Sequence, residues 1–76
     1  MFLKKNIELV KFLGQVNKCK EDILFCTNEG DLLNLKSTLS QLVFASIADK
    51  PEILYSAEIK VKREEDYQLL KDYLIG

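Results

Sequence analysis

From Leu3 to about Lys18 the apolar residues Leu3, Ile7, Val10, Leu13 and Val16 recur at spacings of three and four, with Phe2, Leu9 and Phe12 on the flanks. That period predicts a helix with a wide apolar stripe. The polar run Lys18-Cys19-Lys20-Glu21-Asp22 then reads as the connection out of it. Ile23 to Thr27 has the β-branched, aromatic and aliphatic content of a strand, and Asn28-Glu29-Gly30-Asp31 supplies turn residues for a return through Leu32 to Lys36, so Ile23 to Lys36 is predicted as a β-hairpin. Ser37 can cap a second helix that begins at Thr38, with Leu39, Leu42 and Val43, joined by Phe44 and Ile47, as its apolar side. Asp49-Lys50-Pro51-Glu52 interrupts that pattern, because proline disfavours helix at the residue before it. Beyond it Ile53, Tyr55, Ala57, Ile59 and Val61 alternate with Leu54, Ser56, Glu58, Lys60 and Lys62, the period of a strand with one buried and one wet face. Glu64, Glu65 and Asp66 place negative charge where a helix dipole favours it, and Tyr67, Leu70, Tyr73 and Leu74 give this last helix an apolar face.

The predicted order is α-β-β-α-β-α. Three strands and three helices at this length imply an α+β open-faced sandwich, a three-stranded antiparallel sheet with the three helices on one face. At 76 residues one small core is expected, hence a single domain over residues 1–76. With 47% hydrophobic and 30% charged residues the chain has the composition of a folding domain rather than a disordered one. Eleven basic and 12 acidic side chains leave a formal charge of -1, so no excess of positive charge attracts nucleic acid or an anionic membrane. No apolar run reaches the roughly 20 residues of a bilayer span, and the start lacks the apolar stretch of a signal peptide, which leads to the expectation of a cytoplasmic protein. Cys19 and Cys26, seven apart, fit neither a C-x-x-C motif nor a zinc site, and read as buried free thiols. No glycine-rich phosphate loop, nucleophile-base pair or metal-ligand cluster is present, so neither an enzyme nor a metal or cofactor is expected.

Leu33-Asn34-Leu35-Lys36-Ser37 followed by a helix, Tyr55-Ser56-Ala57-Glu58 followed by an acidic helix start, and Gly30 at the hairpin turn fall in one order with nearly ungapped spacing. In this the chain from about Asn6 onward resembles the histidine-containing phosphocarrier protein HPr of the bacterial sugar phosphotransferase system. The resemblance implies an HPr-like fold in which the first strand pairs with the last, and it makes Ser37 the counterpart of the serine that a regulatory kinase phosphorylates. Where that family reads G-L-H-A-R-P-A, this chain reads Lys4-Lys5-Asn6-Ile7-Glu8-Leu9-Val10. Asn6 stands at the position of the phosphorylated histidine and Glu8 at that of the arginine. The chain contains no histidine at all, so histidine phosphotransfer is excluded, and Glu8 repels a phosphoryl group where the arginine would attract one.

The resemblance therefore implies a non-catalytic regulatory or binding module, like the catabolite-repression paralogues that also lack the histidine and keep the serine. Its expected partners are proteins, a serine kinase and a transcriptional regulator, met on the surface around Ser37, Leu39, Leu42 and Val43. Ser37 has two readings that do not exclude each other, a helix cap contributing about 1 kcal/mol and a phosphorylation site at a helix start where negative charge is welcome. Asn6 is either a polar binding residue or the cap of the first helix. Tyr55, Tyr67 and Tyr73 read as core residues with their hydroxyls at the rim, or as the frame of a pocket. Only about five residues precede the histidine position, so the family's first strand is expected to be missing and the strand Ile53 to Val61 to have an unpaired edge. Such an edge implies a homodimer through that strand. The alternative from another class is a structural or assembly subunit that dimerises through an open sheet edge, without any link to sugar transport. A phosphocarrier using some other residue ranks last, since no nucleophile occupies the lost position.

Overall fold

A computed structural model describes residues 1–76, and it is an α+β protein. The hairpin forms where its turn chemistry placed it, with β2 (Ile23–Cys26) antiparallel to β3 (Leu32–Asn34) in a register that sets Phe25 opposite Leu33. Gly30 takes a φ of 94°, the left-handed conformation that an L side chain resists, and Thr27 Oγ1 accepts from the Asp31 amide at 3.0 Å to close the turn. On its other side β2 pairs with β4 (Glu58–Val61), so the three-stranded sheet has the order β3-β2-β4 and is antiparallel throughout. Ile23, Phe25 and Ile59 point to its buried face, whereas Glu58, Lys60 and Leu32 point to water.

The first and last residues depart from the helical readings. Phe2–Leu3 is a strand, β1, paired with β5 (Leu74–Ile75). Leu3 fits helical spacing, but its side chain is fully buried from a strand, and the helix begins only at α1 (Leu9–Val16), beyond Asn6 with its φ of 66°. A residue in the left-handed region cannot continue a right-handed helix. The C-terminal helix likewise stops early: α4 runs over Glu64–Leu70, a 3-10 turn over Lys71–Tyr73, and Leu74 is buried from β5 instead of from a helix.

The strand expected over Ile53 to Val61 is reduced to Glu58–Val61. After α2 (Thr38–Ile47), Pro51–Leu54 forms a short helix, α3, with the amides of Ile53 and Leu54 both donating to Lys50 O at 3.0 Å. Pro51 sits in its first turn, where a fixed φ and a missing N–H suit a helix start. The alternation fails here: Leu54, read on the wet face, is fully buried, while Ile53 and Tyr55, read on the buried face, are half-buried, and Leu54 and Ala57, three apart, are the pair turned inward. The count is thus four α-helical segments and five strands, not three and three.

The unpaired edge on β4 does not exist at its centre. Ile59 N–H donates to Met1 O at 2.6 Å and the Met1 amino group donates to Ile59 O at 3.3 Å, with Glu58 Oε2 3.7 Å from the same amine. This double exchange is that of an antiparallel hydrogen-bonded pair, so β1 lies beside β4 and carries β5 on its far side. Lys60 and Val61 extend past Met1, and of the two it is Val61 whose backbone faces that edge. The true open edge is the short β3: Thr27 N–H donates to Asp31 O and Leu35 N–H to Ile23 O, which turns the odd residues toward β2 and the backbone of Leu32 and Asn34 outward.

The core joins these elements through aromatic rings. Phe12 of α1 lies 6.2 Å from Phe44 of α2 and 5.8 Å from Tyr73, and Phe44 meets Phe25 of β2 edge-on at 5.1 Å. Leu35, Leu54, Ile59 and Leu70 complete it.

Candidate functional site

Ser37 has the extended backbone of an N-cap, with φ -84° and ψ 132°. Its Oγ accepts from Ser40 N at 3.5 Å and its carbonyl from Gln41 N at 3.0 Å, so it starts α2 as a cap would. The hydroxyl is exposed, and the contact it makes is long, so little holds it away from solvent.

α2 carries its apolar residues on two sides. Phe44 is buried and Ile47 half-buried, and these two face the core. Leu39, Leu42 and Val43, read as part of one apolar side with them, are instead 70%, 65% and 40% exposed. Spacings of three and four place the three on one stripe, starting two residues after Ser37. Gln41, between the two sides, anchors the helix: its Nε2 donates to Asn17 Oδ1 and to Leu35 O, each at 2.8 Å.

Asn6 and Glu8 stand apart from this surface. Asn17 ends α1 and Glu8 precedes it, so the eight residues of the helix put the two ends about 12 Å apart, and it is the Asn17 end that Gln41 of α2 bonds. Asn6 does not cap α1. The N-cap is Glu8, whose side chain makes no capping bond and lies 3.4 Å from Lys11 Nζ. Both residues are exposed. The three tyrosines are half-buried: Tyr55 and Tyr73 pack against the core, Tyr73 within its aromatic cluster, and Tyr67 does not.

Sequence reasoning missed the residue that ties α4 to the connection between α1 and β2. Of the three acidic residues opening α4, Glu65 binds Arg63 Nε and Nη2 at 2.9 and 2.6 Å and Glu64 accepts from Gln68 Nε2 at 2.8 Å, both in the open. Asp66 is 2% exposed, and its two oxygens accept from the amides of Lys20 and Glu21, each at 2.9 Å. Burial alone raises this carboxyl, yet the amides of Glu21 and Lys20, with Arg63 and Lys36 nearby, outweigh it and hold the pKa below the usual carboxylate range. Lys36 Nζ donates to Cys19 O in the same connection. The Cys19 thiol is buried there, and burial first, then Asp66, pushes its pKa up against the pull of Lys36. Cys26 is only half-buried, on the open side of the sheet, so one of the two cysteines departs from the buried reading.

The fold and surface define a small α+β protein with a three-stranded antiparallel sheet, an exposed apolar stripe on one helix and no cluster of side chains spaced to hold a metal ion. No helix is long and apolar enough to cross a membrane. Comparison with protein-family models, with curated proteins and with solved structures finds no match for the chain.

Proposed function

We propose that the chain is a non-catalytic protein-binding module of the HPr type, which docks a protein partner on α2 and is controlled by phosphorylation of Ser37. The observation that carries this reading is the stripe Leu39, Leu42 and Val43, three apolar side chains left in water immediately after an exposed serine that caps the same helix. Such side chains cost free energy while solvated and regain it when a partner covers them. A phosphate on Ser37 adds charge beside that stripe without opposing the helix dipole. What supports the HPr resemblance is that α1, β2, β3, α2, β4 and α4 follow the order it implies, and that Met1, at the start of the chain, lies beside Ile59 of β4, the strand that the resemblance pairs with the first one; α3 and β5 are additions to that order.

The test uses the purified full chain, a bacterial HPr serine kinase with ATP, and a transcriptional regulator of the kind that binds serine-phosphorylated HPr. Mass spectrometry is expected to place one phosphate on Ser37 and none on Ser37→Ala. Titration calorimetry is expected to show regulator binding by the phosphorylated form that Leu39→Glu/Leu42→Glu weakens at least about tenfold, a loss of about 1.4 kcal/mol. Absence of phosphate on Ser37 removes the regulatory reading, and absence of binding by either form removes the module reading.

A further inference from the structure

The largest concavity lies away from α2, where β1 and β5 meet the residue that ends α3. It is an open groove of about 580 Å³ lined by Phe2, Leu3, Tyr55 and Ile75, with Lys4 and Lys5 on its rim. A second, smaller trough of about 410 Å³, lined by Pro51, Glu52 and Ser56, shares Lys5 and Tyr55 with it. The volume of the first lies within the range of roughly 300–1,000 Å³ typical of small-molecule sites, and apolar walls with a few polar groups at one side are their usual lining.

Charge decides what would sit there. The ion pairs of the molecule join Met1 to Glu58, Lys11 to Glu8, Lys62 to Asp22 and Arg63 to Glu65, so neither Lys4 nor Lys5 has a carboxylate within 4.0 Å. Ser56 Oγ is committed to Glu52 O at 2.7 Å, and the Glu52 carboxylate stands in the far trough, where it discourages an anion from moving past Lys5. An occupant that answers these features has a negative head on the Lys4 and Lys5 side of the groove and an apolar body along Phe2, Tyr55 and Ile75. We infer that this groove binds a small amphipathic carboxylate, an alkyl or aryl acid. No residue of this groove belongs to the α2 surface, so the inference stands or falls apart from the proposal made for Ser37.

The experiment is a titration of the full ¹⁵N-labelled chain with decanoate below its micelle concentration, followed by amide spectra, with decylamine and acetate titrated in parallel. Saturable shifts are expected at Phe2, Leu3, Lys4, Lys5, Tyr55 and Ile75 with decanoate and not with acetate, and with decylamine weaker or absent. Lys4→Gln/Lys5→Gln replaces two exposed side chains, which keeps the fold, and is expected to raise the decanoate Kd by about tenfold or more, the effect of losing roughly 1.4 kcal/mol. Shifts absent from these amides, equal binding of decylamine, or an unchanged Kd in the double variant would each overturn the inference.

Discussion

Single residues divide here into those whose surroundings bind a charge and those whose surroundings refuse one. Asp66 belongs to the first group. Its carboxyl takes up a proton at lower pH in the native protein than in the unfolded chain. The stabilisation it gives is therefore complete above the unfolded carboxylate pKa, near ~3.9, and is lost as pH falls through the lower folded value. Thermal unfolding of Asp66→Asn is expected to show a melting temperature well below that of the parent at pH 7, with the gap narrowing as pH falls below the unfolded carboxylate pKa; a gap independent of pH would count against the two-amide clamp. Cys19 belongs to the second group. A buried thiol whose pKa is raised presents little thiolate, whereas half-buried Cys26 is open to reagent, so native-state alkylation is expected to label Cys26 first and Cys19 only on unfolding. Peptide mapping after a short iodoacetamide pulse would show the order. Of these two residues the sequence disclosed the absence of a redox motif, while the amides that make Asp66 special come from a segment 45 and 46 positions away.

At the scale of elements, the informative contest was between periods of two and of about three and a half over short segments. The hairpin and α2 were legible because turn residues and a capping serine bracket them, and local chemistry decides such boundaries. The stretch Ile53 to Ala57 was not: an alternating pattern four or five residues long also suits one helical turn, and Pro51 tips the choice toward helix. Phe2–Leu3 was illegible for a different reason, since two residues carry no period and become a strand only because β5 offers them backbone partners while Ile59 of β4 holds Met1 before them. That pairing has a measurable consequence. The Ile59 amide, bonded to Met1 O, is expected to exchange with solvent orders of magnitude more slowly than the Leu32 amide on the open β3 edge, by hydrogen-exchange spectroscopy on the native protein. Comparable rates at the two would restore the free β4 edge and, with it, the strand-to-strand dimer through Ile53 to Val61.

For the whole molecule, one core holds all the elements, and the side chains that build it are not interchangeable with those that look equally apolar in the sequence. Phe12→Ala removes a ring that touches Phe44 and Tyr73 and is expected to cost about 3–5 kcal/mol, most of the stability of a domain this small. Leu39→Lys is expected to stay within about 0.5 kcal/mol of the parent, because that side chain is already in water. Urea unfolding of both variants measures the contrast, and a large loss from Leu39→Lys would place α2 deeper in the core than it stands. By itself the amino-acid sequence determined the α+β class, the hairpin, the capped second helix and the exclusion of histidine chemistry, because each depends on residue identity or on neighbours within a few positions. Only the tertiary structure decided which apolar stripe of α2 faces water, that Met1 covers Ile59, that Asp66 reaches back to Lys20 and Glu21, and that Lys4 and Lys5 rim an apolar groove. These depend on contacts between segments distant in the chain, and a pattern read along one segment holds no record of what packs against it.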